Sequence, residues 1–527
     1  MLLREIDVLP DEEAFARFWR PSGRGLELAD SLARLLQHGK REAGRGKFQR
    51  AIKLFTSAVK RHPGCALAYA WRGEARLNLK YYRRDVPQQL WRKHRKIYPY
   101  RRLFFVGRVP RPDSYPELAS DFSRAIALDP SQSWFYSHRG EARYLFVDYV
   151  GAMSDFTKAV QVNMRHGFAY LWRAEIYYRT QRWDLAASEA TRGLSLAPNA
   201  AWLHAFLARM QDSSGHRKDA LRSIERAIAL DPDIGWYRAW RGETLRKLER
   251  LDEALEEFGA AISMDRSDSL AYAWRGATLR RRKLSQEALS DLEKAVELDP
   301  DYAYAFSELA QTQRQTGRMR EALGSITRAH VIDSKYLWAY HNPTQPMEFH
   351  QAVSDLDADI HASPSAAAWA WRGRIALEEG LDADALAALD QAVSLDANFL
   401  LAHFWRGQVY LRLGTPDKAA KEFRQALRID SDSGLAEGWL GRALAAKGRH
   451  LEALAHFNGA LYKDPHNCRS WIYHFRAKTK EHMGDFRGAL QDVDNHIWIS
   501  GRDVQAEIMR QRIARRLPDA SEMTLCA

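Results

Sequence analysis

Tryptophan residues that recur at a fixed interval are the strongest indication of binding chemistry in this sequence. Of the 17 Trp among 527 residues, five begin the tripeptide Trp-Arg-Gly, at Trp71, Trp240, Trp274, Trp371 and Trp405. Large flat side chains lose little conformational entropy on binding and dominate the energetics of interfaces. A repeated Trp therefore indicates a surface that recognises another molecule.

A second candidate binding feature is the basic and aromatic segment at residues 82–112. It contains ten Lys or Arg and one Asp, a net charge of +9, whereas the whole chain has a net charge of +12. Basic residues interleaved with aromatic ones suit an anionic partner such as RNA or DNA, a membrane surface or an acidic protein segment. The structural alternative is a solvated loop whose aromatic rings dock on the neighbouring helices. The candidate anion-binding residues are Arg92, Lys93, Arg95, Lys96, Arg101 and Arg102.

The sequence carries no signature of a known catalytic site. The motifs G-x-x-x-x-G-K-[ST], H-E-x-x-H and G-x-S-x-G are not in it. The 18 His are dispersed, and the nearest pairs, His450 with His456 and Cys468 with His474, lack the usual zinc spacing. We therefore expect a non-catalytic protein with no cofactor and no metal site.

Cysteine content and hydropathy bear on the cellular compartment. Three Cys, at Cys65, Cys468 and Cys526, are too widely spaced to indicate a disulfide framework. The longest apolar runs have about seven residues, far fewer than the ~20 that a membrane-spanning helix needs. Acidic residues near the N-terminus stand where a secretory signal would place its apolar core. We expect a cytoplasmic protein with no transmembrane span.

The Trp residues belong to a repeat with a period of 34 residues. Small residues return at that spacing, at Gly140, Ala174, Ala208, Gly242, Gly276 and Ala310 and then at Gly373, Gly407 and Gly441. Each is followed by an Ala, a large apolar residue, a small residue and often a Pro, as in Ala288, Leu292, Ala295 and Pro300. Spacings of three and four place apolar residues on one side of a helix. The period therefore predicts pairs of antiparallel helices that must stack on neighbouring pairs to bury their apolar sides.

This pattern resembles the tetratricopeptide repeat (TPR) family, with its W-x-x-L-G-x-x-Y, A-x-x-x-F and closing P. About thirteen units, from residue 32 to about residue 503, cover roughly nine tenths of the chain. The resemblance implies an all-α fold, a right-handed α-solenoid of antiparallel helix pairs.

Irregularities in the repeat divide the chain into segments. Pro343 and Pro346 stand where a first helix should run, and an interior Pro costs a helix ~3 kcal/mol. We expect an irregular turn there, a helix from Met347 to about Ile360, and a kink. The predicted segments are an N-terminal helical cap (1–31), an N-terminal array (32–336) with the insertion 82–112 in its second repeat, a degenerate repeat (337–365), a C-terminal array (366–503), and a capping helix with a disordered tail (504–527).

The resemblance implies that the first helix of each pair lines a concave groove that receives a peptide. Numbering each unit from its first residue, for example 133–166, the second, sixth and ninth positions share one side of that helix. The candidate groove residues at these positions are Trp71, Trp134, His138, Trp172, Trp202, Phe206, Trp236, Trp240, Trp274, Trp371, Trp405, Trp439, Glu141, Glu175 and Glu243. The alternative is that the Trp side chains pack between adjacent first helices while Arg and Glu pair across neighbouring repeats.

These features favour a non-catalytic scaffold or adaptor that binds an extended peptide or a partner helix in an aromatic groove. Binding of RNA or a membrane surface through residues 82–112 is the alternative function. Self-association through the ends of the array is a third hypothesis, and the sequence does not determine the oligomeric state.

Overall fold

A computed structural model describes residues 25–82, 115–145, 148–333, 336, 349–463, 470–501 and 504–517. Residues 1–24 of the predicted N-terminal cap, the insertion apart from Tyr82, and the tail from residue 518 lie outside these ranges. The candidate anion-binding residues of the insertion lie outside them as well.

The described secondary structure is entirely helical, as the sequence predicts. The helices are α1 (Gly25–Gly44), α2 (Phe48–Arg61), α3 (Ala66–Tyr82), α4 (Tyr115–Leu128), α5 (Ser133–Leu145), α6 (Tyr149–Val162), α7 (Gly167–Arg179), α8 (Trp183–Leu196), α9 (Ala201–Ser213), α10 (Arg217–Leu230), α11 (Gly235–Lys247), α12 (Leu251–Met264), α13 (Ser269–Arg281), α14 (Ser285–Leu298), α15 (Ala303–Gln315), α16 (Met319–Ile332), α17 (Phe349–Ala362), α18 (Ala366–Glu378), α19 (Asp382–Leu395), α20 (Leu400–Arg412), α21 (Pro416–Ile429), α22 (Gly434–Ala446), α23 (His450–Lys463), α24 (Ser470–His482), α25 (Phe486–Ser500) and α26 (Val504–Ala514). Helix α17 lies where we expect a helix after the two prolines.

The helix pair α20–α21 shows why the repeat sequence folds in this way. Gly414 has a φ of +70° in the turn between the helices, a conformation that glycine adopts without a steric penalty. Pro416 begins α21, where the lack of a backbone N–H costs nothing because the first turn has no partner for it. Ala419, Phe423 and Ala426 follow at spacings of four and three and are fully buried. The apolar side of α21 therefore packs against α20.

The Arg of Trp-Arg-Gly, like the Arg at the same repeat position of His-Arg-Gly, Trp-Arg-Ala and Phe-Arg-Ala, forms an ion pair inside its own repeat. It donates to a carboxylate on the second helix of the pair, with N···O distances of 2.6 to 3.1 Å, in Arg72–Asp121, Arg139–Asp155, Arg173–Glu189, Arg241–Glu257, Arg275–Asp291, Arg406–Glu422 and Arg476–Asp492. Arg372 is the exception, because it bonds to Asp357 of the preceding helix α17 at 3.0 Å. The family pattern has Leu at this position, so an ion pair here replaces an apolar contact.

The chain divides into two compact units. The first comprises residues 1–216 with 494–504, and the second comprises residues 217–493 with 505–527. Within the first unit, α1 contacts α3, α3 contacts α5, and α5 contacts α7. Within the second unit, the first helices α11, α13 and α15 contact one another in turn, as do α18, α20, α22 and α24. Successive first helices therefore form a continuous layer in these stretches.

None of the described helices combines the length and the apolar character that crossing a membrane requires.

Candidate functional site

The candidate site is the first-helix face, which we define as the second, sixth, ninth and thirteenth positions of the first helices. Of the twelve predicted aromatic and His residues on it, eight are buried: Trp71, Trp134, Trp172, Trp202, Phe206, Trp274, Trp371 and Trp405. Four are half-buried: His138, Trp236, Trp240 and Trp439. The three predicted acidic residues, Glu141, Glu175 and Glu243, are buried. Only the half-buried members present surface to a ligand without moving.

Aromatic rings on this face pack against the next repeat. Trp240 and Trp274 meet edge-to-face with ring centroids 5.1 Å apart. Trp371 and Trp405 do the same at 4.9 Å, and His330 packs against both rings. Such aromatic pairs add about 0.5–1.5 kcal/mol beyond the apolar area that they bury. The repeated Trp therefore joins neighbouring first helices, whether or not it also binds a ligand.

The acidic residues of the first-helix face are neutralised by nearby bases. Glu175 accepts a hydrogen bond from Arg179 at 2.9 Å and another from Arg209 of the next repeat. Glu243 accepts two from Arg246, at 2.7 and 2.8 Å. Burial disfavours the charged guanidinium of Arg246, but the Glu243 carboxylate outweighs burial and raises the pKa of Arg246 above its ordinary value. Because of these pairs, Glu175 and Glu243 offer little net charge to a ligand.

Two of the bases at the thirteenth position pair with acids of the preceding repeat. Arg281 donates to Glu249 at 3.0 Å, and Arg412 donates to Asp382 at 2.6 Å. Both acids lie in or just after the turn that follows the preceding first helix. These pairs link consecutive repeats along one edge of the stack.

In the last two repeats, two cations of the first-helix face lie over aromatic rings. The Arg442 guanidinium lies 4.7 Å from the ring centroid of Trp439 and 4.5 Å from that of Phe475. Lys478 Nζ lies 5.5 Å from the centroid of Phe475. Arg442, Phe475 and Lys478 are residues that our sequence analysis did not select. They occupy the ninth position of the repeat 434–467 and the sixth and ninth positions of the last repeat, so the repeat spacing was a signal that could have identified them.

Glu437 lies in α22, the helix that carries Arg442, and its contacts explain a shift in the pKa of its carboxyl group. It accepts hydrogen bonds from His456 Nδ1 at 2.8 Å and from Lys463. Burial raises the pKa of a carboxyl group, but these two donors outweigh it and hold the pKa of Glu437 below its ordinary value of 4.5. A depressed carboxyl pKa stabilises the folded state above the unfolded pKa, and that stabilisation is lost as the pH falls through the folded value.

We expect Glu437→Gln to lower the free energy of unfolding by about 1–2 kcal/mol at pH 7, because charge-assisted hydrogen bonds are lost. The difference from the parent protein should shrink below pH ~4.5, where the parent carboxylate becomes protonated. Urea unfolding of both proteins at pH 7 and pH 3 measures this. An equal difference at both pH values would show that the charge of Glu437 contributes nothing.

Among the described residues, no group of three or more His, Cys, Asp or Glu side chains is arranged to hold a metal ion. The predicted anion-binding residues of the insertion lie outside the described ranges, so that site stays a prediction from composition.

Comparison with known proteins identifies the repeat. The family model for the tetratricopeptide repeat matches residues 36–82, 207–271, 241–303, 348–399, 383–434 and 406–467, which together make up half of the chain. The chain belongs to the tetratricopeptide repeat family. Consecutive helix packing within each unit agrees with a TPR solenoid.

A comparison with solved structures finds YrrB, a TPR protein with an unusual peptide-binding site, at 24% sequence identity and a TM-score of 0.26. The match covers 34% of this chain and 93% of that chain. A comparison with curated proteins finds no match.

Proposed function

We propose that this TPR protein is a non-catalytic scaffold or adaptor of the cytoplasm that binds an extended peptide or a partner helix on its first-helix face. Support comes from the half-buried Trp236, Trp240 and Trp439, which stand in register with fully buried aromatic residues of other repeats. TPR repeats are protein-interaction modules, and that general role follows from membership of the family.

A half-buried Trp is suited to recognition because packing fixes its ring before a ligand arrives. Trp240 is held by Trp274 through the edge-to-face contact. Trp236 lies four residues earlier in α11, on the same side of the helix. A ligand that covers both rings would bury apolar surface without ordering flexible side chains, which reduces the entropic cost of binding. The central rings of such a surface are expected to contribute most of the affinity.

We expect Trp240→Ala to weaken peptide binding by about 2 kcal/mol or more, or roughly 30-fold, because Trp truncations in interfaces have effects of this size. The ligands are peptides selected from a random phage-displayed library on the intact chain. Isothermal titration calorimetry measures their affinity for the parent and variant proteins.

Trp183→Ala is the matched control, because Trp183 is also half-buried but begins the second helix α8. Circular dichroism checks that both variants keep their helix content. Equal affinities of the parent and the Trp240→Ala variant for every selected peptide would reject binding at this part of the face.

A further inference from the structure

The ninth position of the first helices changes its charge along the chain. It is Lys40 in the first repeat, acidic at Glu74, Glu141, Glu175 and Glu243 with Arg209 between the last two, and without an acid in the later repeats, where it is Ala277, Gln311, Arg374, Gln408, Arg442 and Lys478. In the second unit the position therefore runs from an acid in α11 to bases in α22 and α24. A ligand lying along these helices would meet basic side chains in the last repeats.

Among the described residues, Arg442 and Lys478 form no ion pair, unlike the other charged residues of this position in the second unit. Glu175 and Glu243 pair with Arg residues, and Arg374 bonds to Glu378 at 2.6 Å. Neither Arg442 nor Lys478 forms an ion pair with a carboxylate of the described residues. The nearest acid in sequence to Arg442 is Glu437, which His456 and Lys463 already engage.

The surroundings of Arg442 hold its guanidinium in place and leave N–H donors for a ligand. Two aromatic rings cover its guanidinium at 4.7 and 4.5 Å, and burial lowers its pKa below the ordinary value with no opposing contribution from an acid. Gly438 permits part of this packing, because a Cβ there would lie 3.0 Å from the Trp471 ring, which itself packs on Trp439 at 5.2 Å. Stacking occupies the faces of a guanidinium and leaves its edge N–H donors for an acceptor.

We propose that the surface formed by Trp439, Arg442, Phe475 and Lys478 binds an acidic peptide segment, in which an Asp or Glu carboxylate accepts hydrogen bonds from Arg442. This rests on the proposed function and adds the chemical class of the ligand. A fixed planar guanidinium donates two parallel hydrogen bonds to one carboxylate. Lys478, one repeat further along, attracts a second acid of the same segment.

A peptide fits this surface better than a nucleic acid. Among the described residues of the last two repeats, Arg442 and Lys478 are two cations of this face without an ion pair, whereas nucleic-acid binding neutralises many consecutive phosphates. The rings of Trp439 and Phe475 are engaged with Arg442, so their faces are not free to stack on bases.

The test selects peptides from a random phage-displayed library on the intact chain and counts Asp and Glu in the retained sequences. The affinities of these peptides are then measured for the parent protein and for Arg442→Gln, Arg442→Lys and Arg424→Gln. Arg424 is the matched control, because it is exposed on the second helix α21 and its replacement removes the same charge. A uridylate oligonucleotide is added as a competitor.

We expect enrichment of Asp and Glu, a loss of about tenfold or more in affinity for Arg442→Gln, a smaller loss for Arg442→Lys, and no change for Arg424→Gln. Retained peptides that are not enriched in Asp and Glu, or that bind Arg442→Gln as tightly as the parent protein, would overturn the inference and leave the proposed function standing. Displacement by the oligonucleotide would assign the surface to nucleic acid instead. A library that yields no binders would reject both the inference and the proposed function.

Discussion

Replacing Arg275 by Met is expected to lower the free energy of unfolding by about 2–3 kcal/mol, because the nearly buried carboxylate of Asp291 then lacks the charge that compensates it. Arg275 donates to both oxygens of Asp291, at 2.7 and 2.8 Å. Asp291 is 7% exposed, so water cannot replace the missing donors in full. The hydrogen bonds to Asp291 raise the pKa of Arg275, which agrees with a stabilising pair.

The double variant Arg275→Met with Asp291→Leu distinguishes the electrostatic contribution of the ion pair from the packing contribution of its side chains. Replacing both partners of a buried pair by apolar residues is often close to neutral, so we expect the double variant to recover most of the lost stability. Arg266→Met is the control, because Arg266 is exposed in the preceding loop. Urea unfolding followed by Trp fluorescence gives the three stabilities. A double variant as unstable as the single one would show that the Arg side chain stabilises the repeat by packing and not by charge.

Adding a single methyl group at Gly407 is expected to destabilise the protein by about 1–3 kcal/mol, because overpacking a filled core has this cost. A Cβ built at Gly407 would lie 2.7 to 3.0 Å from three carbons of the Phe423 ring. Phe423 is fully buried and cannot move into solvent. Gly→Ala in an unobstructed helix is normally stabilising by up to about 1 kcal/mol, so the sign of the change identifies the clash.

Gly324→Ala is the matched control for this substitution. Gly324 lies inside α16, and a Cβ there would meet nothing within 4 Å. We expect this variant to be as stable as the parent or more so. Thermal unfolding followed by circular dichroism compares the two. If Gly407→Ala were also stabilising, the close packing of Gly407 against Phe423 would be refuted.

Phe423→Ile in the Gly407→Ala background should restore part of the stability. The repeat 303–336 already has this combination, with Ala310 and Ile326 at the equivalent positions, both buried. The small residue of the first helix and the large residue of the second helix thus vary together between repeats. The sequence pattern records this pairing, but only the structure shows that the two residues touch.

The repeat period predicted the fold correctly because the spacing of apolar and small residues within one repeat determines which residues share a side of a helix. Helices follow from apolar spacings of three and four, and the antiparallel pairing follows from small residues at fixed positions. The sequence also predicted a helix that begins after Pro343 and Pro346, because proline is excluded from the interior of a regular helix. Helix α17 lies there. The alternative that Arg and Glu pair across neighbouring repeats does not describe most Arg residues of Trp-Arg-Gly, which pair within their own repeat, with Arg372 as the exception. Their partners on the second helices could be named only from the structure.

The sequence alone determined that the chain is an all-helical TPR solenoid and which side chains share the first-helix face, because both depend on residue spacing within one repeat. Tertiary structure decided how far each of those side chains is covered. Trp172 and Trp240 occupy the same repeat position, yet the first is fully buried and the second is half-buried. Contacts between repeats also decided that Glu175 is neutralised and that Arg442 lies over two aromatic rings while no carboxylate of the described residues pairs with it. Exposure and charge pairing depend on the neighbouring helix, which the spacing of a single helix does not specify.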